Sequence, residues 1–96
     1  MEYLFIYRTE LDTYLKLNAE HHSKGFMYGS LYRIGSCSAA VTRNYHEKVN
    51  GNVYSIDVID FDYLDSIEGE NYVRESILIH TETSIIPCWV YLLRKI

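Results

Sequence analysis

Tyr72-Val73-Arg74-Glu75-Ser76-Ile77-Leu78-Ile79-His80 and Ile85-Ile86-Pro87-Cys88-Trp89-Val90-Tyr91-Leu92-Leu93 are two runs dominated by β-branched, aliphatic and aromatic side chains, separated by the polar Thr81-Glu82-Thr83-Ser84. Runs of that length and composition, bounded by a polar interval, read as two strands. At the other end of the chain, Tyr3-Leu4-Phe5-Ile6-Tyr7 is continuously apolar and predicts a strand buried on both faces. Residues 52–57 alternate Val53, Ser55 and Asp57 with Asn52, Tyr54 and Ile56, the period of two that a half-buried strand requires. Residues 26–34 predict another strand, with Gly29 marking a bulge or a close backbone approach, and 39–42 a short one.

Two segments carry helical signals instead. Thr9-Glu10-Leu11-Asp12 resembles a capping motif with Thr9 as N-cap, and Leu11, Tyr14, Leu15 and Asn18 follow at helical spacing. Asp60 caps a second expected helix, whose inner face is assigned to Tyr63, Leu64 and Ile67, and which ends at Gly69 as the C′ residue. Glycines 25, 29, 35, 51 and 69 read as punctuation between short segments. The expectation is an α+β fold of about six strands and two short helices. So many strands in one small chain are better closed into a mixed barrel than left as an open sheet with bare edges.

A chain of 96 residues holds a single domain, 1–96, with a modest core. Its longest uncharged apolar stretch, Ile85–Leu93, is far short of a membrane-spanning helix. The apolar run after Glu2 has no basic segment before it and is too short for a secretory signal, so the chain reads as cytoplasmic. No membrane partner is expected on that ground, and nine Lys and Arg against thirteen Asp and Glu leave a net charge of −4, which opposes binding to a phosphate backbone, so no nucleic-acid partner is expected. The excess of acid is local. Residues 49–73 contain no Lys or Arg but hold Asp57, Asp60, Asp62, Asp65, Glu68 and Glu70. That run is either a solvated helix face or a field that raises the pKa of one carboxylate toward general acid/base use.

Cys37 and Cys88 form no CxxC pair and read as reduced packing residues. His21, His22, His46 and His80 have no metal-ligand spacing and read as solvent-exposed. A Cys37 nucleophile with His46 as base lacks a third, orienting group.

Six short elements occur in a meaningful order: Tyr7-Arg8-Thr9, Gly29-Ser30-Leu31-Tyr32 with Gly35 beyond, Val49-Asn50-Gly51-Asn52-Val53-Tyr54, Leu64-Asp65-Ser66-Ile67-Glu68-Gly69, Tyr72-Val73-Arg74 and Trp89-Val90-Tyr91. In this order and spacing the chain resembles gamma-glutamylcyclotransferase-like proteins along nearly its whole length. The resemblance implies a small mixed β-barrel with helices outside it and a cavity at one end. It also implies an enzyme that releases 5-oxoproline and an amine from a gamma-glutamyl or related amide, without a metal or organic cofactor. Carried over by position, the family's substrate-holding loop falls on Tyr7, Arg8, Thr9 and Glu10, and its acid/base glutamate on Glu68.

The sequence departs from the family where the loop's glycine is Arg8 and its leucine is Glu10, and where Cys37-Ser38-Ala39 stand in place of a frequent proline. Arg8 either fills the pocket or holds a substrate carboxylate through a bidentate contact. The alternative to an enzyme is therefore a catalytically inactive barrel module that binds a small ligand or a protein partner. Among the ten tyrosines, Tyr7, Tyr54, Tyr72 and Tyr91 are expected to pack their rings in the barrel wall and aim their hydroxyls at a polar cavity, and the others to fill core or surface.

Overall fold

The computed structural model describes residues 2–7, 19–34, 37–41, 46–57 and 60–93. Among these residues, seven strands and one helix follow in the order β1 (Glu2–Ile6), β2 (Glu20–Tyr28), β3 (Ser30–Ile34), β4 (Cys37–Val41), β5 (Lys48–Ile56), α1 (Asp60–Glu68), β6 (Tyr72–His80) and β7 (Ile85–Leu93). The helix expected to start at Thr9 lies outside the described residues.

Five strands close into a barrel in the order β1-β5-β2-β6-β7, while β3 and β4 pair with each other as a separate two-stranded sheet. Six strands in one sheet is therefore corrected to five plus a hairpin. The reason lies at Gly29: the expected strand over 26–34 breaks there, its amide donating to the Glu47 carbonyl at 3.1 Å, and the chain leaves the barrel as β3. Neighbours in the barrel are antiparallel except at the closure, where β1 and β7 run parallel and pair Leu4 with Trp89. The β2–β6 seam is equally narrow, pairing only Phe26 with His80. Side chains reinforce it: the His80 ring stacks on Phe26 at 4.9 Å, Tyr28 meets His80 edge-on at 5.2 Å, and the Lys48 ammonium lies 4.5 Å from the Phe26 centroid. His80 is thus half-buried rather than exposed, whereas His21, His22 and His46 are exposed.

Strand alternation sorts the apolar residues into two layers. Phe5, Met27, Val49, Val53, Ile79, Cys88, Val90 and Leu92 fill the barrel. Leu4, Ile6, Tyr54, Ile56 and Tyr91, from the outer face of the same strands, pack with Phe61 and Leu64 of α1. This explains why the first strand has no polar face: Phe5 belongs to one layer and its neighbours Leu4 and Ile6 to the other. Of the inner face expected for the helix, Leu64 is buried and Tyr63 and Ile67 are not. Phe61 and Leu64 are inside, while Tyr63 is 52% and Ile67 47% exposed.

Glycines 25 and 51 lie inside strands β2 and β5, directly paired, rather than between segments. Both leave room for neighbouring groups: a Cβ on Gly51 would meet Phe5 Cζ at 2.8 Å and the Ile6 carbonyl oxygen closer still, and one on Gly25 would meet Ile79 Cγ2 at 2.8 Å.

Candidate active site

Helix α1 ends as its sequence requires. Gly69 adopts φ +78°, and its amide donates to the Asp65 carbonyl at 3.2 Å, closing the helix with a single left-handed residue. This stop puts two carboxylates, Asp65 and Glu68, in the last turn, where the helix dipole disfavours negative charge and where the helix carries no basic residue. Compensation comes from the next strand. Arg74 of β6 grips Asp65 with both arms of its fork, Nε to Oδ1 at 3.0 Å and Nη2 to Oδ2 at 3.2 Å. Its guanidinium lies over two rings of the outer layer, 4.0 Å from the Phe61 centroid and 4.8 Å from that of Trp89.

Asp65 also accepts from β7: the Tyr91 hydroxyl donates to Oδ1 at 2.6 Å. Burial pulls the Asp65 carboxyl upward, but the hydrogen bonds from Arg74 and Tyr91 and the Arg74 charge outweigh it and hold the group below the ordinary carboxylate value. The Tyr91 phenol moves the other way, pushed up by burial first, then by its bond to Asp65 and by the charges of Asp65 and Glu68, against a weaker opposing pull from Arg74. It stays neutral through physiological pH.

Asp65, Glu68, Tyr72, Arg74 and Tyr91 border one open cavity of about 290 Å³ between the end of α1 and the edges of β6 and β7. Glu68 is half-buried at its rim. Among the residues expected in the site, Glu68 is therefore on a cavity. Tyr7 is not on its wall, but stands one bond behind it, its hydroxyl donating to the Tyr91 carbonyl oxygen at 2.6 Å. Arg8, Thr9 and Glu10 lie outside the described residues. Of the four tyrosines expected to face a polar cavity, Tyr72 and Tyr91 do, whereas Tyr54 is buried under the helix against Leu64 and its neighbours. Asp65, one of the carboxylates in the acidic run around Glu68, is paired with a cation just beyond the Lys- and Arg-free stretch.

Residues 6–96 match the family described as Gamma-glutamyl cyclotransferase, AIG2-like. The chain belongs to the gamma-glutamyl cyclotransferase, AIG2-like family. Solved structures share the fold of this cyclotransferase-family chain at low identity. An uncharacterised protein from Pyrococcus horikoshii has 20% identity and a TM-score of 0.77, over 100% of this chain and 80% of its own. A gamma-glutamyl cyclotransferase has 17% identity and a TM-score of 0.76, over 98% of this chain and 67% of its own. A protein from Arabidopsis thaliana has 20% identity and a TM-score of 0.76, over 96% of this chain and 68% of its own. No curated protein matches the cyclotransferase-family chain in sequence. No helix among its described residues is long and apolar enough to cross a membrane.

Sequence reasoning missed the Asp65–Arg74–Tyr91 network. Each residue stood in a quoted motif, but nothing in their separations of nine and twenty-six positions indicates contact. The one available signal was the pair of acidic side chains at a helix C-terminus, an arrangement that calls for a cation from elsewhere.

Proposed function

We propose that this protein is a gamma-glutamylcyclotransferase-like enzyme that converts a gamma-glutamyl or related amide to 5-oxoproline and a free amine, with Glu68 as its acid/base and the loop from Tyr7 through Arg8, Thr9 and Glu10 as the substrate-holding segment. The observation that carries the reading is Glu68 on the rim of a 290 Å³ cavity in a chain of this family. In the reaction the substrate's α-amine attacks its own γ-carbonyl carbon, a lactam C–N bond forms and the amide C–N bond breaks. Holding both groups in one molecule supplies much of the rate by proximity. Two protons leave the α-nitrogen, which begins as an ammonium, and two reach the departing nitrogen, which ends as one. One carboxylate can carry them in turn. Glu68 has the position for this, half-buried and facing the same cavity as the neutral phenol of Tyr91 and the cation Arg74.

Purified protein incubated with a panel of gamma-glutamyl amides, followed by chromatography for 5-oxoproline and the released amine in equal amounts, tests the reading. Equimolar release supports it. Ligands that bind without release would leave the inactive binding module.

A further inference from the structure

We infer that Tyr91 is a substrate-binding residue that presents its phenolic oxygen as a hydrogen-bond acceptor to the α-ammonium of the substrate, and that Asp65 and Arg74 are positioning residues that fix this polarity. The inference rests on the cyclotransfer reading for the identity of the ligand, and on geometry for the rest. Arginine keeps its charge at every pH a folded protein meets. Its fork holds both oxygens of Asp65, at 3.0 and 3.2 Å, so the carboxylate is ionised and can only accept. A phenol has one hydrogen to give. Tyr91 gives it to Asp65 at 2.6 Å, so its oxygen retains only lone pairs. The direction of each bond thus follows from the one before it, and the last acceptor belongs to Tyr91, which lines the cavity that Glu68 borders.

Several contacts hold this relay. The guanidinium lies over the rings of Phe61 and Trp89, those rings meet edge-on at 6.1 Å, and the Tyr91 main chain is tied to Tyr7 by a 2.6 Å bond. A fixed neutral acceptor beside a carboxylate favours a group that brings several N–H donors. An α-ammonium has three; a hydroxyl or a carbonyl at the same place has one or none.

Replacing Asp65 by Asn makes a specific change. Arg74 takes the single amide oxygen, the amide NH₂ turns to Tyr91 and donates to its oxygen, and the phenolic hydrogen is turned toward the cavity, where it repels an ammonium. The Tyr91→Phe change removes the acceptor and leaves the ring.

Calorimetric titration of γ-L-glutamylmethylamide and of glutaric acid monomethylamide, which differ only in the α-ammonium, tests the inference in Glu68→Gln protein, where the proposed acid/base is disabled. The expected result is tighter binding of the ammonium ligand, with the ratio of the two dissociation constants cut about tenfold by adding Tyr91→Phe and at least as much by adding Asp65→Asn, as for loss of one charge-assisted hydrogen bond. A merely structural role would weaken both ligands alike. An unchanged ratio in a variant that melts cooperatively, or no preference for the ammonium ligand in the Glu68→Gln parent, overturns the inference. If one variant does not fold, the other decides. 5-Oxoproline release by the native protein is measured in parallel: release with an unchanged ratio sinks the acceptor and keeps the enzyme, whereas a falling ratio without release keeps the acceptor and sinks the enzyme.

Discussion

The hydroxyl of Tyr7 and the backbone carbonyl of Tyr91 are joined by a 2.6 Å hydrogen bond across 84 positions of sequence. The bond ties the residue after β1, where the proposed substrate loop begins, to the strand that forms the cavity wall. Removing the hydroxyl with Tyr7→Phe leaves a part-buried carbonyl without this donor, at a cost of about 1 kcal/mol. Thermal unfolding is expected to show a midpoint lower by roughly 4–8 °C, as for a domain of this size. A midpoint equal to that of the native protein would mean the bond is not formed in solution.

Gly51 and Gly25 are opposite each other in β5 and β2, yet alanine at the two positions is expected to behave differently. At Gly51 the new methyl meets a main-chain oxygen, that of Ile6, and the fixed ring of Phe5, neither of which can retreat without opening the β1–β5 pairing. At Gly25 the first obstacle is the methyl Cγ2 of Ile79, although the His80 carbonyl oxygen stands at 3.0 Å. Overpacking of a core costs about 1–3 kcal/mol. Urea unfolding should place Gly51→Ala at or beyond the upper end of that span and Gly25→Ala below it. The reverse order would contradict the packing described.

The opposite displacements of Asp65 and Tyr91 shape stability at both ends of the pH scale. The Asp65 carboxyl is held below its ordinary value of 3.8 in the folded chain, so its contribution is in place above about pH 4 and is lost as pH falls through the folded value. The Tyr91 phenol is raised above its ordinary 10.0, so its contribution is complete below that pH and is lost as pH rises further. Urea midpoints at pH 7 and pH 3 should therefore separate less in Asp65→Asn than in the native protein. Equal separations would show that the ion pair with Arg74 does not form in solution.

Cys88 is buried in the barrel, and burial pushes its thiol up to about 12. Since the thiolate is the reactive form, Cys88 should resist thiol reagents in the native state. In a Cys37→Ser background, with Cys88 as the remaining thiol, disulfide-exchange labelling at pH 8 is expected to follow global unfolding. Rapid labelling of the native protein would contradict the burial.

Much of this architecture was legible beforehand. Strands β6 and β7 have the bounds their β-branched runs announce, and Gly69 takes the left-handed conformation that a helix stop demands. Other elements were hidden for physical reasons. Strand β2 begins with Glu20, His21 and His22, exposed side chains that do not favour a strand; Glu20 and His21 are held by pairing with Ser55 and Tyr54 of β5, and His22 falls at a register shift. Gly29 has the same composition signature whether it bulges a strand or ends it, and its bond to Glu47 decides the matter. Glu68 is marked by its motif as a candidate and does border a cavity, whereas the relay beside it joins a helix to two strands that close on it only in three dimensions.

In the proposed reaction, Glu68 moves the protons of cyclotransfer. Its most direct test is kcat/KM for 5-oxoproline release from a gamma-glutamyl amide by native protein and by Glu68→Gln at neutral pH. A fall of about 10²–10⁴-fold is expected, the span of general acid/base catalysis, with the thermal midpoint little changed. Release by Glu68→Gln at the native rate would contradict it.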